Sequence, residues 1–542
     1  MTGGDEPAPA RVQAKVGAAV LAGIGPRGAE GTDGARPHSD GGAGARSRSE
    51  ETVDVRFPFE GTVGLWELLD DMAAAPRLVV GDERVRAFLV DVGRRLRAPE
   101  VARRHPELAS LGFFLRRSEL ERAAGPLPGA AGSLPGAAGS LPGAAGSLPG
   151  AAGVGGAGEF VRVPRGLVFH VAPANVDTVF VYSWALSALM GNRNVVRLSA
   201  RAGGTAQAIL TIMRDALDDA DPVVARTQRI VSYGHPRPGA RRIPVEPPHK
   251  QLEHASPGHH ASSDHHQGEH SGKPPRTSPV THPEPVAPAD AGSGGAAGPT
   301  AVLSAACDLR VIWGGDRTVN EIRRHPLAPH ARDLTFPDRS SFAVIRARAW
   351  LEATPATRET VADGFAIDAY WFDQAACSSP GTVFWVGSPI ECAMARDGFA
   401  ACLAEAVARR GWTVDTAMAV EKRVAAYGLA ADGVADAVEF HGNVLAQVIL
   451  TSPGAAPRRW LGTGTFAHAR IGSLDELADV VRRKDQTLTH FGFDRDELAG
   501  LARALGGRGV DRIVPIGNAL GFHRVWDGVD LPAELSRVIT VQ

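Results

Sequence analysis

Apolar residues recur along this chain with two different periods, and the changes of period mark its elements. Leu65-Trp-Glu-Leu-Leu69, Val85-Arg-Ala-Phe-Leu-Val90 and Leu108-Ala-Ser-Leu-Gly-Phe-Phe-Leu115 carry them at helical spacing and predict amphipathic or buried helices. From Phe160 the character changes. Leu167-Val-Phe-His-Val171 is an unbroken apolar run, expected of a strand buried on both faces in a parallel sheet. Asp177 to Met190 is helical in pattern and stopped by Gly191. Asn194-Val-Val-Arg-Leu198 is the next strand, Thr205 to Ala220 the next helix, and Gln228-Arg-Ile-Val-Ser-Tyr233 a third strand. The pattern resumes with Asp308-Leu-Arg-Val-Ile-Trp313, then Gly314-Gly315 and a helix through Val319 and Ile322. Alternating strands and helices of these lengths predict a doubly wound parallel sheet with right-handed crossovers. Asp333-Leu-Thr-Phe336 and Ser341-Phe-Ala-Val-Ile345 follow, then a helix with Cys392 and Cys402, and strands at Asn443 to Leu450 and Arg512-Ile-Val-Pro-Ile516.

Three stretches lie outside this rhythm. Residues 1–50 are Gly, Ala, Pro, Arg and Ser with hardly an aromatic, a composition that predicts a disordered tail. Leu127-Pro-Gly-Ala-Ala-Gly132 is followed by Ser-Leu-Pro-Gly-Ala-Ala-Gly units beginning at Ser133, Ser140 and Ser147. Proline and glycine in every unit exclude a continuous helix, so the repeat is a linker or surface insertion and no coiled coil. A Pro-, Gly- and His-rich stretch from about His235 to Pro299 includes His259-His260 and His265-His266. Without an apolar framework to fix ligand geometry it is expected to be disordered, and no metal site is expected. Both inserts are expected to be dispensable for catalysis. The ordered pieces are then 51–121, 159–235 and 301–542, enough for two or three domains.

A formal net charge of −2 over 542 residues argues against a nucleic-acid surface or a polybasic membrane surface. No apolar run reaches the roughly 18–20 residues of a membrane span. Val16 to Ile24 follows Arg11 and Lys15, but its glycines and the missing cleavage signature argue against a secretory signal. Four cysteines with no CxxC pair fit a reducing, cytoplasmic setting.

Candidate chemistry centres on Cys377. The helical run Val361 to Phe372 precedes it, the strand-like Gly381-Thr-Val-Phe-Trp-Val386 follows, and Cys377-Ser-Ser-Pro380 between them is a short polar loop closed by proline. A substrate can approach a cysteine in such a loop. Taken alone, the stretch fits a nucleophile and a small core hydrophobe equally well. His170 lies within an apolar strand and reads as a satisfied core histidine.

Several motifs stand out: Val163-Pro-Arg-Gly-Leu-Val-Phe-His-Val-Ala-Pro-Ala-Asn-Val-Asp-Thr178, Tyr182-Ser-Trp-Ala-Leu-Ser187 with Gly191-Asn192, Phe336-Pro-Asp-Arg-Ser-Ser341, Asp373-Gln-Ala-Ala-Cys-Ser-Ser-Pro380, Gly462-Thr-Gly-Thr-Phe466 and Arg512-Ile-Val-Pro-Ile-Gly-Asn-Ala-Leu520. Together these motifs resemble the bacterial LuxC-type acyl-CoA reductases, a branch of the aldehyde dehydrogenase superfamily. They run in order, with the repeat and the His-rich stretch as foreign inserts. The resemblance implies an α/β fold of the aldehyde dehydrogenase kind: a doubly wound Rossmann-like cofactor domain plus an α/β catalytic domain. After the tail at 1–50, the cofactor-binding domain is expected over 51–332 with inserts at about 125–156 and 236–299. The catalytic domain is expected over 333–520, and 521–542 as a segment returning to the cofactor and oligomerisation region.

What the resemblance implies for chemistry is NADPH-dependent reduction of a fatty acyl thioester to an aldehyde, through an acyl group on Cys377. Asn175 stands where the superfamily keeps an oxyanion-binding asparagine, with the Cys377 backbone N–H as second donor. Asn175 also reads as a cap for the following helix. There is no GxGxxG fingerprint. The superfamily instead places the dinucleotide at the strand end carrying Arg197, Ser199 and Arg201 and at Gly314-Gly315, where helix N–H groups favour phosphate; Phe466 is placed with these cofactor-binding residues. Arg197 stands for a ribose-binding lysine, and Ala200 for the glutamate of NAD-preferring members. Thr335 occupies the place of the glutamate that activates water in the hydrolytic members, so hydrolysis of the acyl-enzyme is expected to be slow. Implied partners are a fatty acyl-CoA or acyl-protein donor, an acyl-transferring protein and further copies of the chain. Other readings are an NAD(P)-dependent aldehyde dehydrogenase, a cysteine acyltransferase or thioesterase, and a non-catalytic scaffold.

Overall fold

The structure is a computed structural model that describes residues 51–125, 159–173, 178–200, 202–234 and 298–541. The tail, nearly all of the repeat and of the His-rich stretch, Asn175 and Arg201 lie outside the described residues. The stretches expected to be disordered and dispensable are among them.

The first sheet is built from β1 (Thr52–Phe57), β2 (Gly61–Gly64), β4 (Leu167–Val171), β5 (Arg193–Leu198), β6 (Gln228–Ser232), β7 (Leu309–Trp313) and β8 (Arg332–Phe336), with β3 (Glu159–Pro164) standing apart. Its strand order is β2-β1-β6-β5-β4-β7-β8. The five strands from β6 to β8 are parallel, and β1 and β2 are added antiparallel at one edge. The chain runs outward from β4 through β5 to β6, then returns to the other side of β4 for β7 and β8. The switch point therefore lies between β4 and β7, the place where doubly wound sheets open a crevice beyond their carboxyl ends. β4, β5, β6 and β7 lie between two layers of side chains, which is why each carries consecutive apolar residues rather than strict alternation. Every residue of the helix Val179–Leu189 is buried, and Trp184 meets Phe57 and Phe88 edge-on at centroid distances of 6.4 and 6.2 Å. His170 sits in this core. Its Nδ1 pairs with the Ser183 hydroxyl and its Nε2 with Asn194 Oδ1, both at 2.9 Å, and burial lowers its pKa to about 4. It is a neutral structural histidine, in line with the sequence reading.

The second sheet contains β9 (Ser340–Arg346), β10 (Pro380–Val386), β11 (Ala435–His441), β12 (Leu445–Leu450), β13 (Thr465–Ile471), β14 (Asp485–Phe491) and β15 (Arg512–Pro515), in the order β11-β12-β13-β10-β9-β14-β15. Only β11 runs antiparallel to its neighbour. Because β8 still belongs to the first sheet, the second begins at Ser340, later than the boundary expected at 332/333. A strap of three residues, Pro337-Asp338-Arg339, carries the chain from the carboxyl end of β8 to the amino end of β9. Carboxyl ends of the first sheet thus confront amino ends of the second.

The last described residues return to β3, in a two-stranded sheet separate from the first. A short hairpin, β16 (Val525–Trp526) and β17 (Val529–Asp530), leads to β18 (Ser536–Val541), which pairs antiparallel with β3. Asn192 fastens this return. Its Oδ1 accepts from the Arg165 and Gly166 N–H groups, and its Nδ2 donates to the Leu535 carbonyl at 2.7 Å. Among the described residues, no helix is long and apolar enough to cross a membrane.

Candidate active site

A cavity of about 500 Å³ lies where the two sheets confront each other. The first sheet contributes Trp313, Gly314, Gly315 and Phe336, the strap contributes Asp338 and Arg339, and the loop before β10 contributes Gln374 to Cys377. Among the described residues, Cys377 is the one cysteine that lines it.

The loop that carries Cys377 is rigid for local reasons. The helix Pro355–Tyr370 ends, and Asp373 and Gln374 then take left-handed backbone angles, with φ of 51° and 58°. Such angles cost a non-glycine residue about 1 kcal/mol each. The Gln374 carboxamide offsets this with four hydrogen bonds. Its Nε2 donates to the Pro380 and Thr465 carbonyls at 2.9 and 3.0 Å, and its Oε1 accepts from the Gly464 and Thr465 N–H groups at 2.8 and 3.3 Å. Gly464 makes the close approach feasible: its φ is 71°, and a Cβ there would lie 2.0 Å from the Val444 carbonyl oxygen. On the other side, the Ser341 hydroxyl donates to the Cys377 carbonyl at 2.7 Å, and the Ser379 hydroxyl donates to the Asp368 carbonyl at 2.7 Å.

Cys377 itself is half-buried, and its thiol is pushed up to about 12. Burial is the largest cause, and the nearby Asp527 carboxylate adds to it. A hydrogen bond from Gln486 Nε2 to Sγ at 3.5 Å and the Arg339 guanidinium act in the opposite direction. Cys307 and Cys392 are buried in the core, and Cys402 is half-buried against it. Cys377 packs against the first core cluster and also lines the cavity, with a hydrogen-bond donor at its sulfur.

Of the other residues singled out from sequence, Gly314 and Gly315 line the cavity at the carboxyl end of β7. The Asp316 N–H at the helix start donates to Asp338 Oδ2 at 3.1 Å, and the Asp338 N–H donates back to Asp316 Oδ1 at 3.2 Å. This carboxylate already occupies part of the anion-binding capacity expected there. Arg197 and Ser199 stand at the carboxyl end of β5, one strand from the switch point and outside the cavity lining, with the Arg197 guanidinium 5.2 Å from the Tyr233 ring centroid. Phe466 is not brought to the cavity. It is the second residue of β13, with its ring inside the core, 5.0 Å from Phe365 and 6.1 Å from Tyr370 between centroids, because the pleat of a strand buried on both faces turns it toward that core cluster. Asn175 and Arg201 lie outside the described residues. Thr335 points away from the cavity, and its hydroxyl accepts from Arg323 at 3.4 Å. Its strand neighbour Phe336 faces inward and stacks on Trp313 at 3.8 Å, with Trp526 edge-on to Trp313 at 6.2 Å.

Three residues at the thiol escape sequence reading: Arg339, Gln486 and Asp527. For Asp527 a signal exists. Trp526-Asp-Gly-Val529 is an Asp-Gly pair between strand residues, the strongest short hairpin signature, and both turn residues take positive φ, 49° and 73°.

Comparison with known proteins bears on this arrangement. The family described as acyl-CoA reductase (LuxC) matches residues 158–235 and 300–538. A long-chain acyl-protein thioester reductase of Photorhabdus laumondii is 26% identical over 239 residues, 43% of this chain and 46% of that protein, so the chain spans about half the length of this curated relative. Among solved structures, an indole-3-acetaldehyde dehydrogenase of P. syringae, solved in complex with NAD+, superposes with a TM-score of 0.55 at 11% identity, over 91% of this chain and 93% of that one. An NAD-dependent aldehyde dehydrogenase of Sinorhizobium meliloti gives 0.52 at 13% identity, over 91% and 90%. The fold is that of the aldehyde dehydrogenases, as the motifs implied.

Proposed function

Because the chain belongs to the acyl-CoA reductase (LuxC) family, we propose that it reduces a fatty acyl thioester to an aldehyde with NADPH, through an acyl group carried on Cys377. The observation that carries the reading is Cys377 on the wall of a cavity that also reaches the switch point of the first sheet, so one space joins a thiol to a dinucleotide crevice.

The residues present fit a nicotinamide dinucleotide. Trp313, Phe336 and Trp526 make an aromatic wall suited to a flat ring, and the side-chain-free Gly314-Gly315 leaves the strand end open. A Cβ at Gly315 would come within 3.0 Å of Asp338 Oδ2. Arg197 and Ser199, with Arg201, would meet the ribose and its 2′-phosphate, and Ala200 places no carboxylate there to repel it. Asp338 holds the Asp316 N–H, so the cationic strand end rather than this helix start is the anchor for phosphate. When bound, the dinucleotide supplies the hydride.

The chain does the rest. The Cys377 sulfur attacks the thioester carbonyl, the C–S bond to the donor breaks, and the donor leaves as its thiol. The Gln374 clamp holds the nucleophile in place, and Asn175 with the Cys377 N–H would meet the charge on the carbonyl oxygen. With Thr335 turned to Arg323, no carboxylate stands in that place to activate water, which favours the reductive exit over hydrolysis. The donor is a fatty acyl-CoA or an acyl-protein. The exposed apolar residues of β18, Val538, Ile539 and Val541, support assembly with further copies.

The test is aldehyde formation from a panel of acyl-CoAs with NADPH and NADH. Alongside it, labelled acyl-CoA is incubated without reductant and the label mapped by peptide mass. Label on Cys377 and NADPH-dependent aldehyde are expected; label on Cys307, Cys392 or Cys402, or no aldehyde from any donor, would overturn the reading.

A further inference from the structure

Among the described residues, one side-chain donor reaches the Cys377 sulfur, and that donor is itself held in place. Gln486 is the second residue of β14 and is almost wholly buried. Its Nε2 carries two hydrogens: one is directed at Cys377 Sγ, 3.5 Å away, and the other at Asp527 Oδ1. The backbone N–H of Asp511 donates to the Gln486 carbonyl at 2.8 Å, which pins the residue at its main chain. Asp527 is brought to this point by the Asp-Gly turn of the β16–β17 hairpin, and its Oδ2 lies 3.4 Å from Arg339 Nη1. Arg339 in turn donates to the Lys484 and Asp485 carbonyls at 3.1 and 3.0 Å and pairs with Asp511. Three segments distant in sequence therefore converge on one carboxamide hydrogen aimed at sulfur.

We propose that Gln486 is a further catalytic residue, the hydrogen-bond donor to the Cys377 sulfur whenever that sulfur carries negative charge, and that Asp527 is the positioning residue that turns the carboxamide toward it. This rests on the reading of Cys377 as the nucleophile. Charge reaches the sulfur twice. It does so when the thiol gives up its proton to attack, and again when the bond between sulfur and carbon breaks to release aldehyde and the bonding pair returns to sulfur. An N–H donor aimed beforehand stabilises both states. A carboxylate, being acceptor-only, fixes which atom of the amide points inward: the NH₂ group must face Asp527, so its second hydrogen faces the thiol.

Asp527 also brings its charge close to the sulfur, and this raises the thiol while the Gln486 hydrogen bond lowers it. The groups facing the thiol are Asp527 from the hairpin, Arg339 from the strap and Arg512 from β15, with Asp511 behind Arg339. Two substitutions therefore separate donor from charge. Gln486→Met keeps the length and loses the donor. Asp527→Asn removes the charge but keeps an oxygen to accept from Gln486.

The measurement is the pH profile of iodoacetamide alkylation at Cys377 in the full chain, mapped by peptide mass, with near-ultraviolet circular dichroism as the check on folding. Gln486→Met should move the midpoint up and slow alkylation at a fixed pH by about tenfold, the worth of one hydrogen bond to a charged group. Asp527→Asn should move the midpoint down. An unchanged midpoint in folded Gln486→Met, or an upward shift in Asp527→Asn, would overturn the proposal, and the second variant decides alone if the first fails to fold. Alkylation needs neither acyl-CoA nor nicotinamide, so the aldehyde assay tests the reductase reading separately.

Discussion

Gln374 is the residue whose loss should show most directly how the nucleophile is held. Its carboxamide satisfies two backbone carbonyls and two backbone N–H groups, all buried, and so ties the Cys377 loop to the start of β13. Methionine in its place has nearly the same length and no hydrogen-bonding capacity. A typical bond of this kind contributes about 1 kcal/mol net, so four of them put the loss near 4 kcal/mol. Gly464 cannot move in to compensate, because the Val444 carbonyl oxygen and Tyr370 already crowd it. Urea unfolding followed by tryptophan fluorescence measures the stability. A stopped-flow measurement of acyl transfer to Cys377 reports whether the loop still presents the thiol. Gln374→Met should lose several kcal/mol and at least tenfold in acyl transfer, with dinucleotide affinity little changed, since the four partners of its carboxamide belong to the Cys377 loop and the start of β13 and none to the first sheet. A variant within 1 kcal/mol of wild type that acylates at the wild-type rate would show that the clamp holds nothing that matters.

The same geometry sets other outcomes. Arg197→Ala should lower kcat/KM with NADPH by about tenfold and leave NADH little changed, the worth of one charge-assisted contact to the 2′-phosphate; equal losses with both cofactors would place Arg197 elsewhere. Asp368 is wholly buried, and burial pushes its carboxyl up to about 7 although Gly517 and Ala519 N–H groups donate to it. Its folded-state pKa exceeds the unfolded one, so its contribution to stability is complete below about pH 4 and is lost as pH rises toward 7, at up to about 1.4 kcal/mol per pH unit. Urea midpoints of wild type and Asp368→Asn should then diverge in slope between pH 5 and 7, and parallel profiles would refute the assignment. Thr335→Glu should pair with Arg323 and leave acid formation from aldehyde low; a rise to the reductase rate would mean the side chain reaches the cavity.

The parts legible in the sequence are those whose signal is local. Leu167–Val171 and the helix Val179–Leu189 announce themselves because they are dense in apolar residues and hold no acid, lysine or arginine, and the Cys377 loop is bracketed by a helical and a strand-like run. The first strand escapes notice although Val53, Val55 and Phe57 alternate inward, because the run is short and borders the tail. Side-chain direction is the common failure. Phe466 and Thr335 stand at motif positions, but the pleat turns one into the core and the other toward Arg323. Gln486 carries no local mark, and Asp527 carries only that of a turn. Their meaning depends on β14 and the β16–β17 hairpin meeting a loop more than a hundred residues earlier, and pairings of that separation leave no periodic trace.

The strap Pro337-Asp338-Arg339 joins opposed strand ends directly, so the chain itself acts as a gauge of fixed length between the nucleophile's wall and the aromatic wall. One extended residue spans up to about 3.5 Å. Hydride transfer and nucleophilic attack tolerate less than about 1 Å of misplacement, a shift that already costs about a hundredfold in rate. A single inserted residue here would therefore overshoot that tolerance several-fold while leaving both sheets intact. Relatives that differ by one residue at this point would be folded, ligand-binding and chemically idle. Conversely, a family that needs a wider gap for a bulkier donor has only to lengthen three residues rather than rebuild either sheet.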